Sequence, residues 1–116
     1  MGKQKKTNTG IYQIRLTENA LGNIDEITGY IAFINHEPMN AIKVGDAIMA
    51  TIEKIGRSPL AYRECEELKT KSKIYRRANC LSWTIIYKVV DFEITILGII
   101  HSARRPNSIR KLRKIN

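Results

Sequence analysis

Trp83-Thr84-Ile85-Ile86-Tyr87-Lys88-Val89-Val90-Asp91-Phe92-Glu93-Ile94-Thr95-Ile96-Leu97-Gly98-Ile99-Ile100-His101-Ser102-Ala103-Arg104-Arg105-Pro106 decides the fold of this chain. It reads as two β-strands joined by a tight turn near Asp91-Phe92. β-Branched and aromatic residues dominate both halves, as a pleated surface prefers. A near-continuous apolar run needs cover on both faces, which places these strands in the middle of a sheet. The second strand ends by delivering His101, Arg104 and Arg105 where the chain leaves the core and side chains become free to bind.

Upstream, Ile74-Tyr75-Arg76-Arg77-Ala78 is a short strand-like piece, in which only one of the two arginines should face a given side of the sheet. Residues 60–73 are mostly charged and are expected as a loop or edge segment. Before them, the spacing predicts a helix from Met39 or Pro38 to Ile55, with Ala41, Gly45, Ile48, Ile52 and Ile55 on one face. Gly45 on that packed stripe points to close approach of a neighbouring helix. Gly56-Arg57-Ser58-Pro59 stops it. An earlier helix starts at the N-cap Thr17 and carries Ala20, Ile24, Ile27, Ile31 and Ile34 to about Asn35, where Asn35-His36-Glu37-Pro38 breaks it. Ile11-Tyr12-Gln13-Ile14-Arg15-Leu16 alternates as a half-buried strand. The order β-α-α-β-β-β predicts an α+β domain: an N-terminal strand, an antiparallel helical hairpin, and a three-stranded antiparallel segment completing one small sheet. Residues 1–9 are expected as a disordered basic lead-in, 10–106 as the domain, and 107–116 as a basic tail. That tail, with Ile109, Leu112 and Ile115 at three-residue spacing, either forms a short amphipathic helix or orders on a partner.

The 116 residues carry a formal charge of +9, which favours an acidic partner: nucleic acid, an acidic protein segment or an anionic surface. No run approaches the ~18 apolar residues of a spanning helix, and no signal-peptide core follows the basic start, so a cytoplasmic protein off the membrane is expected. The two cysteines, Cys65 and Cys80, stand in no CxxC arrangement, and His36 and His101 lie far apart. A zinc site needs a tighter ligand cluster, and no glycine-rich phosphate loop is present, so neither metal, cofactor nor small-molecule ligand is expected.

Leu16-Thr17 followed by Ala20, Ile24-Asp25, Ile27 and Tyr30-Ile31 resembles the opening of the RelE/ParE toxin superfamily. Ile85-Ile86-Tyr87-Lys88-Val89 and Ile99-Ile100-His101-Ser102-Ala103-Arg104-Arg105 resemble its closing strands. The single motifs are short; their order over residues 11–106 carries the resemblance. It implies the toxin of a type II toxin–antitoxin module, held silent by a cognate antitoxin. ParE-like members act on DNA gyrase without chemistry of their own, whereas RelE-like members cut messenger RNA on the ribosome.

Metal-free RNA cleavage needs a base for the 2′-hydroxyl, cations for the growing phosphate charge, and an acid for the leaving oxygen. Glu66 (or Glu67), Arg76, His101 and Arg104 are candidates for those roles should the chain be a ribonuclease. Read as a binding surface instead, Arg76, Arg77, His101, Arg104, Arg105 and Arg110 are the candidate contacts to target or antitoxin. Thr84 stands where ribonuclease members often carry an arginine, and Phe92 is the only aromatic residue after Tyr87. The set is incomplete, so the expectation is a ParE-like gyrase inhibitor involved in plasmid or chromosome stabilisation. The alternatives are a ribosome-dependent endoribonuclease and a degenerate member that keeps only antitoxin binding.

Overall fold

The computed structural model describes residues 6–9, 11–104 and 106–115. One five-stranded sheet is built from β1 (Lys6–Thr9), β2 (Tyr12–Leu16), β3 (Tyr75–Cys80), β4 (Trp83–Val90) and β5 (Glu93–His101), in the order β1-β2-β5-β4-β3. All neighbours are antiparallel except β2 and β5, which run parallel. Two helices, α1 (Glu18–Gly29) and α2 (Pro38–Arg57), connect β2 to the segment before β3, and a short α3 (Pro106–Arg110) closes the chain.

The strands quoted above lie at the centre, covered on both faces as their apolar run demands. Ile85, Tyr87, Ile94, Ile96 and Ile99 point into the main core beneath the helices. Ile86 and Leu97 point the other way, into a smaller cluster with Cys65, Leu68, Tyr75, Ile109 and Leu112. The β4–β5 turn falls at Asp91, whose φ of 54° is the left-handed conformation that short hairpin loops require and aspartate tolerates. A register shift opposite Ile86 and Tyr87 inserts one extra residue into β5, so Leu97 and Gly98 depart from the simple alternation.

Thr17 caps α1 by accepting the Ala20 N–H at 3.0 Å. The helix widens at Tyr30–Ile34 into a π-helical turn, in which the Asn35 N–H reaches the Tyr30 carbonyl at 3.1 Å. This corrects the expected stripe: Ile31 is buried but Ile34 is 62% exposed. Each α-helical residue turns the chain by about 100°, so a turn holding one extra residue swings those that follow away from the core. After the break α2 returns along α1, and its Gly45 does lie close: a Cβ there would meet the Thr28 methyl at 3.4 Å.

Two further expectations change. Lys6–Thr9 forms β1, paired with Tyr12–Arg15 of β2, so this part of the supposed disordered lead-in adds an edge strand; residues 1–5 lie outside the described residues. Open β-edges pair readily, and the alternating β2 offers one. The tail takes the helical alternative: α3 and the 3₁₀ turn Lys111–Lys114 bury Ile109 and Leu112 against the sheet. The charged segment 60–73 is an edge segment, touching β3 through a Glu64–Arg76 bridge and an Arg77 N–H to Arg63 carbonyl bond of 3.1 Å.

Candidate functional site

β2 ends at Leu16 while its neighbour β5 runs on to His101, which leaves the outer edge of β5 uncovered from Leu97 onward. The side chains of Thr17, which caps α1, and of two α1 residues take over the missing strand's hydrogen bonds. The Thr17 hydroxyl donates to the Ile96 carbonyl at 2.9 Å, the Asn19 amide donates to the Leu97 carbonyl at 2.9 Å, and Asn23 Oδ1 accepts the Ile99 N–H at 2.9 Å. Buried backbone groups must be paired, and this is how an edge beside a helix meets that demand. Beyond Asn23 the helix and strand diverge. Between them opens a groove of about 590 Å³, with Ile27, Ile31, Trp83 and Ile99 as apolar walls and Glu26, Tyr30, His101 and Arg104 at its mouth.

His101 is exposed, edge-on to Trp83 with ring centroids 6.0 Å apart. Its Nδ1 accepts the Ala103 N–H at 3.2 Å, so Nε2 carries the proton in the neutral ring. The Arg104 N–H returns to the His101 carbonyl at 2.9 Å, closing a turn that sets the exposed Arg104 beside the groove; its guanidinium makes no ion pair among the described residues. Below them Thr84, fully buried, bonds Ser102 Oγ at 3.0 Å and Asn79 Oδ1 at 3.2 Å, tying the ends of three strands together. The structure therefore brings His101 and Arg104 into one site. Arg105 lies outside the described residues.

The other candidates sit elsewhere. Arg76 pairs across the sheet with Tyr87, whereas His101 pairs with Trp83, four residues further along β4. At ~3.4 Å per residue that is ~13 Å along the strand, with β4 itself lying between them. Arg76 is also engaged: its Nη1 donates to the Tyr62 carbonyl at 2.6 Å, while the Tyr87 hydroxyl donates to the Pro59 carbonyl at 2.6 Å. Burial raises the Tyr87 pKa above its ordinary value, which keeps that phenol a neutral donor. Arg76 and Tyr87 together fasten the chain after α2 onto the sheet. Arg77 pairs with Ile86 on the opposite face, as adjacent strand residues must, and meets Glu67 Oε1 at 3.5 Å. Glu67 also accepts from Cys65 Sγ at 3.7 Å. Glu66 is exposed on that same connection, and Arg110 is exposed on α3, with its Nη1 on Asn107 Oδ1 at 3.1 Å. Glu66, Arg76 and His101 do not converge on one point.

Sequence reading missed the α1 wall of the groove. Asn23, Glu26 and Tyr30 recur at the three-and-four spacing of one helix face, flanking the buried stripe, and that periodicity was the available signal. Among the described residues no group of three or more His, Cys, Asp or Glu side chains is placed to hold a metal ion, and no helix is long and apolar enough to cross a membrane.

Comparison with known proteins gives this geometry its context. A solved structure described as a chromosomal ParDE TA system from P. aeruginosa superposes with a TM-score of 0.62 at 18% identity, covering 80% of this chain and 98% of that one. At that identity the likeness concerns the fold. No curated protein matches the chain. The family model described as the ParE toxin of the type II toxin-antitoxin system, parDE, matches residues 14–106, from the first buried residue of β2 to the start of α3. The chain belongs to the ParE toxin family of the RelE/ParE superfamily.

Proposed function

We propose that this protein is a ParE-like toxin that poisons DNA gyrase by binding it and is neutralised by a cognate antitoxin. The supporting observation is the dispersal of the would-be catalytic set. Arg76 is held by backbone carbonyls on the α2–β3 connection, about 13 Å along the sheet from His101. General acid–base catalysis needs its groups within hydrogen-bond reach of one reacting phosphate. In this reading Arg104, His101 and Arg105 receive an acidic antitoxin segment at the end of β5, with Arg110 and the basic α3 turn adding attraction at longer range. Arg76 and Arg77 act on the fold.

Induction of the chain alone in a bacterial host tests this, with mapping of RNA 5′ ends alongside the DNA-damage response. The expected outcome is DNA damage with intact messages. New cuts within translated messages, without DNA damage, would overturn it in favour of an endoribonuclease. The variant His101→Ala is expected to keep toxicity and to weaken antitoxin binding roughly tenfold, the scale of one lost charge-assisted contact. Arg76→Ala is expected to lower the melting temperature as well as toxicity.

A further inference from the structure

The helical hairpin covers one face of the sheet, and the other face is basic. Alternation places Arg15, Thr95 and Lys88 there, because their neighbours Ile14, Ile94, Tyr87 and Val89 point into the main core. They form one cross-strand row with Tyr75: Arg15 pairs with Thr95, Thr95 with Lys88, and Lys88 with Tyr75. The C-terminal turn crosses the same face beside this row. Glu93 is the last acidic residue of the chain; the residues after it hold six Arg and Lys side chains and no acid. Ile109, Leu112 and Ile115 recur every third residue and pack into the smaller apolar cluster, close to the i, i+3 stacking of 3₁₀ geometry. The two remaining columns, Arg110 with Arg113 and Lys111 with Lys114, therefore turn outward, and all four residues are exposed. None of them is ion-paired among the described residues. Arg113 lies over the Tyr75 ring, 5.8 Å from its centroid, which sets the turn's cations beside Lys88 of the row.

At the β3 edge, Lys69, Lys71 and Lys73 stand exposed on a loop that leaves the same apolar cluster at Leu68 and re-enters it at Ile74. Thr70 shapes that loop. Its hydroxyl accepts the Ile74 N–H at 3.2 Å, its carbonyl accepts the Lys73 N–H at 3.2 Å, and its own N–H donates to Glu64 Oε2 at 3.2 Å. The lysines are thus presented by a built turn. Most acids on this side already have partners: Glu64 on that amide, Glu67 on Arg77 at 3.5 Å, and Glu93 at 3.9 Å from Arg15. Glu66 is left as an exposed acid among the cations.

We infer that this face, opposite the helical hairpin, binds the phosphate backbone of double-helical nucleic acid. Four adjacent strands make a face ~14 Å across, flanked by the C-terminal turn, and a duplex carries one charge per ~1.7 Å of its axis. Arginine and lysine are the side chains that contact phosphates, and they fix position without reading sequence. Single strands need aromatic rings on which bases can stack. Among the described residues the ring on this face is that of Tyr75, which is only 8% exposed and lies beneath Arg113. The face therefore suits a paired duplex, whose bases are already stacked. DNA and RNA duplexes share this backbone chemistry, so the two are separated by experiment. The inference does not rest on the gyrase reading, because duplex binding by the isolated chain needs no target protein.

The test uses the full chain and a fluorescein-labelled duplex of about 20 base pairs, as DNA and as RNA, with the matching single strands as controls. Anisotropy is read over a series of salt concentrations. The expected result is saturable duplex binding with a dissociation constant on the order of 10⁻⁵ M at physiological salt. The slope of log K against log salt is expected near −4, the mark of about four neutralised phosphates. Lys111→Gln/Lys114→Gln is expected to shallow that slope by about 2 and to weaken binding about tenfold or more. Lys43→Gln/Lys54→Gln removes the same charge from exposed positions of α2, on the other face, and is expected to change affinity less than about threefold. Thermal melts confirm that both variants are folded. Binding to either duplex supports the proposal, and the ratio of the DNA and RNA arms identifies the source. Equal losses in the two double variants would reduce the effect to net charge and overturn it. So would tighter binding to the single strands, or no binding to either duplex. Displacement by poly-glutamate as effective as by unlabelled duplex would also overturn it, and would make the face a seat for an acidic protein.

Discussion

At the scale of single residues, Thr17 joins two structures with one hydroxyl. It accepts the Ala20 N–H to begin α1 and donates to the Ile96 carbonyl of β5, at 3.0 and 2.9 Å, while only 1% exposed. Thr17→Val keeps the shape and loses both bonds, so it is expected to cost about 2 kcal/mol. Thr17→Ser should restore most of that; urea midpoints at an unchanged m-value check both. Cys65 sets an upper pH limit. Burial, reinforced by the nearby Glu67 charge, pushes its thiol from 9.0 up to about 11. The folded chain thus holds the proton longer than the unfolded chain does. As pH rises past 9.0 the unfolded state ionises first, so stability is level below that point and falls through about 11. Buried Tyr87, whose pKa is also raised, adds to the same decline. Urea unfolding at pH 7.5, 9 and 10.5 should show the fall only above 9, and Cys65→Ala should shallow it.

At the scale of elements, the joint between α1, β5 and the C-terminal turn is closely packed around Gly98. A Cβ on Gly98 would stand 3.0 Å from Asn19 Nδ2 and Leu112 Cδ2, and 3.1 Å from Asn23 Oδ1. Gly98→Ala is therefore expected to destabilise by ~1–3 kcal/mol, the range for overpacking. Amide exchange should quicken at residues 109–112 as Leu112 is displaced, which distinguishes this joint from a purely local clash. The elements themselves were legible in sequence. Periodicity marked α1 from Thr17 and α2 to its glycine stop, and the apolar double strand announced a central position. The π-helical turn was not legible, because Ile27, Ile31 and Ile34 continue a faultless helical spacing. What interrupts it is the tight reversal at His36, with φ of 57°, into α2. β1 escaped for a related reason: Lys6-Thr7-Asn8-Thr9 has no apolar alternation, and its pairing rests on the backbone edge that β2 offers.

At the scale of the whole molecule, the +9 charge governs encounter more than fold. Association with an acidic antitoxin segment is expected to slow roughly tenfold between 50 and 500 mM salt, with a smaller change in dissociation rate, because screening acts on steering before contact. Stopped-flow measurement of both rates checks this. The sequence by itself determined the α+β class, the helical hairpin, the two-faced central strands and the family. Each of these follows from local periodicity or from residues in a fixed order, which a chain carries with it when unfolded. Tertiary structure alone decided which candidate residues meet. His101 and Arg104 share a groove because α1 takes the place of a strand beside β5. Arg76 is drawn away because its Nη1 donates to the Tyr62 and Leu60 carbonyls, 14 and 16 positions earlier in the chain. Convergence in space depends on strand register and on which helix lies along which edge, and no spacing along the chain encodes either.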